Sequence, residues 1–254
     1  MSSNNFGQSN VINAVKHSSL PISSYNILAF LTQEEEDMPS MRRGKHILVL
    51  GASGRLGSQV VQQALDASYH VTILVRNDRS LPFSRRQLKD PNLVICVGSI
   101  FSRIDLDRVI EGQDAVINCL SPRTLWTSDI KLNSRAQRLI NESMVKFDVK
   151  RLIIVRCHGT PTIDSFFTRL LSNKVYHDKK VQEKLIMENS EFLDWTIIRV
   201  GGLSNGKLTK KYLLLDNDEI VFKKVSRADV AHFILKEIGT GMWVKQAPLI
   251  NGKV

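Results

Sequence analysis

The sequence predicts an α/β fold, a doubly wound parallel sheet built as a single domain, and three observations carry that expectation. From His46 onward, short β-branched runs alternate with segments of helical periodicity, which is the signal of βαβ units. A glycine-rich turn joins the first strand to the first helix. The length of 254 residues, 43% hydrophobic and 24% charged, suits one large globular domain able to bury a core.

Residues 1–40 are rich in Ser and Asn, lack periodicity and end in the acidic run Glu34–Asp37 before Pro39, so a flexible, disordered N-terminal tail is expected, with the domain spanning 41–254. No basic-then-apolar secretory pattern stands in this tail. The expected strands are His46–Leu50, His70–Val75, Leu93–Val97, Ala115–Cys119, Arg151–Val155, Trp195–Arg199 and Pro248–Ile250. Between them, Leu56, Val60, Val61, Ala64 and Leu65 recur at helical spacing, as do Ile130, Leu139, Ile140 and Val145. Ser226-Arg-Ala-Asp229 reads as a variant capping box opening a helix through Val230, Phe233 and Ile234.

Composition narrows the partners. The three cysteines, Cys96, Cys119 and Cys157, are too few for a disulfide framework and fall in or beside apolar runs, which points to a reducing, cytoplasmic compartment. No apolar run approaches the roughly 20 residues of a membrane-spanning helix, so no membrane partner is expected. Residues 1–40 hold one base, Lys16, against Glu34, Glu35, Glu36 and Asp37, so the chain's net charge of +10 belongs to the domain. Lys207, Lys210, Lys211, Lys223 and Lys224 lack the interleaved aromatics of a base-stacking platform and read as a solvated face rather than a nucleic-acid surface. The His and Cys residues show no paired ligand spacing, so no metal is expected, and the absence of GxSxG argues against an α/β-hydrolase.

The strongest chemical signal is His46-Ile-Leu-Val-Leu-Gly51-Ala-Ser-Gly54-Arg-Leu-Gly57, an apolar strand running into a GxxGxxG turn and then a helix. A pyrophosphate brings negative charge close to the backbone, so the turn must lack β-carbons and aim helix N-terminal N–H groups at the ligand. Gly51 and Gly54 meet that need, and Gly57 lets the helix pack closely on the strand. Gly51, Ser53, Gly54, Arg55, Leu56 and Gly57 are thus the expected cofactor-binding turn of a Rossmann-type domain. At the end of the next strand, where NAD-selective enzymes place a carboxylate against the ribose 2′-hydroxyl, stands Arg76. Arg76, with Arg55, suits a 2′-phosphate, so NADP(H) is the expected cofactor, with NAD(H) second.

Gly51-Ala-Ser-Gly54-Arg-Leu-Gly57, Val71-Thr-Ile-Leu-Val-Arg76, Gly112-Gln-Asp-Ala-Val-Ile117 and Val225-Ser-Arg-Ala-Asp-Val-Ala-His-Phe233 together resemble the atypical short-chain dehydrogenase superfamily. Within it, the chain is most similar to the NAD(P)H-binding group that includes biliverdin reductase B, also called flavin reductase, and the NmrA-like regulators. The resemblance covers nearly all of 45–250. It implies a single Rossmann-type domain holding NADP(H) in an extended form, with a substrate crevice above the carboxyl ends of the strands. It also implies that Leu120, Ser121 and Arg123, in the loop after the fourth strand, neighbour cofactor or substrate. Three positions depart from the group: Ser99 stands where an acid usually lies near the adenine, Cys157 where a serine lies near the nicotinamide, and Val200 in place of proline.

Hydride transfer needs the cofactor, an oriented acceptor and a proton donor. Conventional short-chain dehydrogenases use Tyr-x-x-x-Lys, and this chain contains Tyr176-His-Asp-Lys-Lys180, with both residues on one helical face. Tyr176 is therefore either the proton donor, with Lys180 as its partner, or an aromatic packing on the domain. Cys157 and His158 follow the fifth strand; the first is a catalytic candidate or a buried filler, the second a proton donor or a loop cap. Thr160 and Thr162 add hydroxyls. The leading expectation is an NADPH-dependent oxidoreductase passing hydride to a small conjugated or carbonyl acceptor of flavin, quinone or tetrapyrrole type. A non-catalytic NAD(P)-sensing regulator is the alternative, and an epimerase with resident NAD ranks third; the sequence leaves the oligomeric state open.

Overall fold

A strand buried on both faces reads as a continuous apolar run, and the first strand, β1 (His46–Leu50), buries every residue after His46. The computed structural model describes residues 44–79, 81–121, 131–157, 166–215 and 224–252, so the tail expected over 1–40 lies outside the described residues. After β1 come α1 (Arg55–Asp66), β2 (His70–Val75), the single turn α2 (Arg85–Leu88), β3 (Leu93–Val97), α3 (Arg103–Ile110), β4 (Ala115–Asn118) and α4 (Leu132–Lys146). The second half adds β5 (Arg151–Cys157), α5 (Phe166–Met187), β6 (Asp194–Val200), β7 (Leu203–Ser204), β8 (Tyr212–Leu215), β9 (Val225–Ser226), α6 (Arg227–Thr240) and β10 (Leu249–Gly252).

The main sheet runs β3-β2-β1-β4-β5-β6-β10-β8, parallel throughout except for the antiparallel β8 at one edge. The order reverses direction beside β1, the switch point where open α/β sheets bind ligands at their carboxyl ends. Alternate residues feed two cores. Ile47, Val49, Ile73, Ile117 and Ile153 face a core shared with α1 and α6. Leu48, Leu50, Leu74, Val116 and Leu152 face the other, under α3, α4 and α5. The edge strand β3 is half-exposed, with Val94 and Val97 on the surface.

The seven expected strands are present within one or two residues at each end. The small strands β7, β8 and β9 are additions, because two- to four-residue strands carry too little periodicity to read. The expected capping box is half realised. Ser226 Oγ accepts the Asp229 N–H at 2.9 Å, but Asp229 does not return to the Ser226 backbone. Its carboxylate instead accepts from Ser226 Oγ, Thr209 N, Thr209 Oγ1 and Lys210 N, so it ties the turn after β7 to the start of α6. Among the described residues, no helix is long and apolar enough to cross a membrane.

Below the strands' amino ends, Arg151 Nη2 meets Glu237 Oε1 at 2.7 Å, with side chains 13% and 0% exposed. Burial pushes the Glu237 carboxyl up, against the opposing pull of Arg151. Removing one partner leaves a buried charge uncompensated, so Arg151→Met should cost about 3–5 kcal/mol at neutral pH in urea unfolding. A carboxyl whose folded pKa is raised costs stability above that value and recovers it on protonation. The loss in Arg151→Met should therefore be larger at pH 8 than at pH 5.

Candidate functional site

Leu50 O accepts the Cys119 N–H at 2.9 Å, which draws the start of the loop after β4 across the mouth of the β1–α1 turn. Gly51 adopts φ +82°, and a β-carbon there would lie 2.8 Å from the Cys119 carbonyl oxygen, so both conformation and space demand glycine. Gly54 N donates to Gly51 O at 2.9 Å and closes the turn. A β-carbon on Gly57 would run into the Gly51 carbonyl oxygen. Gly54 caps α1 without a side chain, and no acid stands in the first turn. The first amides of the helix therefore keep no intrahelical acceptor, and its positive end stays free to receive an anion. A dinucleotide pyrophosphate fits this cradle: it needs close backbone approach, unspent N–H groups and positive potential. Ser53 and Arg55 are exposed beside it, while Leu56 packs into the core.

Arg76 lies exposed just past β2, with no ion pair among the described residues. Ser99 follows β3 and serves the chain itself: its N–H donates to Asp105 Oδ2 at 3.0 Å and its Oγ accepts the Phe101 N–H. The Ser99 amide holds the Asp105 carboxyl below the usual carboxylate range. Asp105 thus brings an acid to the loop where the sequence shows only Gly98-Ser99. Leu120 is half-buried, with its N–H on Asn118 Oδ1 at 3.0 Å, and Ser121 is exposed. Arg123, His158, Thr160 and Thr162 lie outside the described residues; of Cys157 only the backbone, at the end of β5, is described.

Tyr176 and Lys180 do come together, but through the ring face: Lys180 Nζ sits 5.0 Å from the ring centroid and Arg156 Cζ 5.1 Å. Arg156 is anchored by both carboxylate oxygens of Glu183, at 2.5 and 2.7 Å. Lys180 is exposed, whereas its neighbour Lys179 is 8% exposed and acts electrostatically on Cys119 at the end of β4. Burial pushes the Cys119 thiol up to about 12, with Lys179 opposing, so Cys119 stays protonated at neutral pH and supplies no thiolate. Among the described residues, no group of three or more His, Cys, Asp or Glu is placed to hold a metal.

The sequence profile of the NAD(P)H-binding family matches residues 51–240. The chain belongs to that family. A short-chain dehydrogenase/reductase of the wide type from Veillonella parvula, solved in complex with NADP, superposes with a TM-score of 0.66 at 16% identity, covering 82% of this chain and 94% of that one. A candidate NADH-flavin reductase from Streptococcus pneumoniae superposes with a TM-score of 0.63 at 20% identity, covering 83% and 100%. At these identities the likeness establishes the Rossmann fold. Among curated proteins, the photosystem II assembly factor Ycf39 of Synechocystis is 27% identical over 184 residues, covering 68% of this chain. The chain spans half the length of that relative.

In this NAD(P)H-binding chain, sequence reasoning missed a buried polar seam behind the site. Asn118 Nδ2 donates to Gln137 Oε1, which also accepts from Gln182 Nε2, while Gln137 Nε2 donates to Asn141 Oδ1. Asp178 accepts the Asn133 and Ser134 N–H groups at 2.9 and 3.1 Å, capping α4 in place of its N-cap residue, Lys131, whose side chain makes no capping bond. The legible signal was Asn133, Gln137 and Asn141 recurring every four residues within the apolar stripe of Ala136, Ile140 and Met144.

The crowding at Gly57 makes the cradle testable. Gly57→Ala should lower stability by about 1–3 kcal/mol and abolish nucleotide binding in calorimetry, because backbone must move. Gly54→Ala, whose β-carbon meets Gly51 O at 3.1 Å, should fold with a smaller loss.

Proposed function

We propose that this chain binds NADP(H) and reduces a small conjugated or carbonyl acceptor of flavin, quinone or tetrapyrrole type. The observation that carries the reading is the uncapped, acid-free start of α1 behind Gly51, with Arg76 exposed at the end of the next strand. When bound, NADPH supplies the hydride. The free amides of Arg55, Leu56 and Gly57 receive the pyrophosphate, and Arg76 receives the 2′-phosphate through its guanidinium fork. Asn118 fixes Leu120 and so shapes the wall over the cofactor. Lys179, buried on α5, acts electrostatically on Cys119 just past β4. Tyr176, its ring contacted by Arg156 and Lys180, offers its Oη proton, with Cys157 and His158 as further donors.

A second reading, in which the dinucleotide is sensed and not consumed, draws on the likeness to an assembly factor and on Cys157 standing where the resembled group has serine. The two readings separate in one sample. Calorimetry should show NADPH binding more tightly than NADH, and Arg76→Ala should weaken NADPH about tenfold or more while sparing NADH. Reduced-nicotinamide absorbance should then fall on adding flavin mononucleotide, biliverdin or a quinone. Binding without turnover across that panel favours the sensor, and no binding of either nucleotide defeats both readings.

A further inference from the structure

The strand β3 closes one side of the main sheet, and nothing in its sequence protects that edge. Its residues, Leu93-Val-Ile-Cys-Val97, are all apolar, with no charge or proline among them. Natural sheets blunt an open edge with such residues, because a bare row of N–H and C=O groups pairs with any strand offered to it. Asn92 O accepts the Val71 N–H, and Gly98 N donates to Val75 O, so Val94 and Cys96 face β2. Leu93, Ile95 and Val97 therefore turn their backbone groups outward. Leu93 N donates to Asp90 O, and Val97 O accepts from Arg108 Nη2. Leu93 O, Ile95 N, Ile95 O and Val97 N keep no partner among the described residues. Val94 and Val97, on opposite faces of the strand, are 52% and 51% exposed.

We propose that residues 27–37 of this same chain, which lie outside the described residues, add to β3 as an antiparallel edge strand. Three features select this occupant. The first is the match of apolar runs: Ile27, Leu28, Ala29, Phe30 and Leu31 equal β3 in length. The second is charge. Glu34, Glu35, Glu36 and Asp37 follow that run after Thr32 and Gln33. An antiparallel strand brings its carboxyl end, and so these acids, to the amino end of β3. Arg85, Arg86 and Lys89 precede that end, exposed and without an ion pair among the described residues. The acid beside them, Asp90, accepts the Asn92 N–H. The third is reach. The described chain resumes at Gly44, at the amino end of β1, two strands in from the edge. Strands lie about 4.8 Å apart, so a strand beyond β3 stands about 14 Å from β1. Residues 38–43 span up to about 20 Å, enough to pass beneath β3 and β2. The added strand covers Val94 and Val97 and pairs the open backbone groups. It lies away from the cofactor turn and stands whether or not hydride is transferred.

Residue-by-residue amide exchange in the full chain tests the contact. Val94 and Cys96, bonded to β2, should exchange slowly in every folded variant and so report folding. Ile95 and Val97 should exchange about tenfold or more slowly in the wild type than in the double variant Ala29→Pro, Phe30→Pro, which removes an N–H from each side of the added strand. Glu34→Lys, Glu35→Lys and Glu36→Lys together should release part of that protection at low salt, where the attraction is least screened. Carbodiimide coupling in an equal mixture of isotope-labelled and unlabelled protein should join Lys89 to the Glu34–Asp37 run within same-label chains. Equal exchange of Ile95 and Val97 in the wild type and the proline variant overturns the proposal. Coupling only between labelled and unlabelled chains also overturns it, giving the edge to the acidic run of a second copy.

Discussion

The backbone of β1 and the backbone beyond β4 approach so closely at Gly51 that no side chain fits between them, and the functional end of the molecule is arranged around that contact. Because Gly51 turns there with positive φ, α1 begins directly above the sheet rather than beside it. Because Gly57 rests on the Gly51 carbonyl, the helix lies tight against the strand and buries Val60, Val61 and Ala64 in the core. α6 then packs along α1, with Gln63 Nε2 donating to Ala228 O at 2.9 Å. One steric constraint thus places both the anion-receptive start of α1 and the wall that α6 builds next to it.

Positive charge gathers where the helices begin. The domain is basic overall, yet several of its acids are engaged in structural contacts. Asp107 joins Arg103, Lys146 and Ser143, Asp178 caps α4, and Asp229 ties down a turn. Arg55 and Arg76 are left exposed around the glycine turn without ion pairs among the described residues, in keeping with a chain of the NAD(P)H-binding family. The buried amides of Asn118, Gln137, Asn141 and Gln182 do the opposite work. They pair among themselves between β4, α4 and α5, and so hold the loop after β4 without adding charge beneath it.

Much of this was legible in the residues. β-branched runs broken at regular intervals can bury both faces only in a covered parallel sheet, so strand positions and fold class follow from local pattern. The glycine turn was legible for the same reason, since its spacing answers a local steric demand. The Tyr176–Lys180 pair shows where such reasoning stops. Four-residue spacing correctly predicts that the two meet, but not that Lys180 covers the ring face in solvent while its neighbour Lys179 is buried. Helical spacing fixes relative direction within α5 and says nothing of how the helix is rotated against the sheet.

By itself, then, the sequence determined what depends on neighbours along the chain: the strands, the turn, the start of α1, and the exchange of a carboxylate for Arg76. Tertiary structure decided what depends on distant partners. Asp178 caps a helix that starts 46 residues earlier, Asp229 clamps a turn it does not adjoin, and Arg227 faces Arg55 across 172 positions. No period or motif encodes such meetings, because they arise from how whole elements pack once their apolar faces are buried.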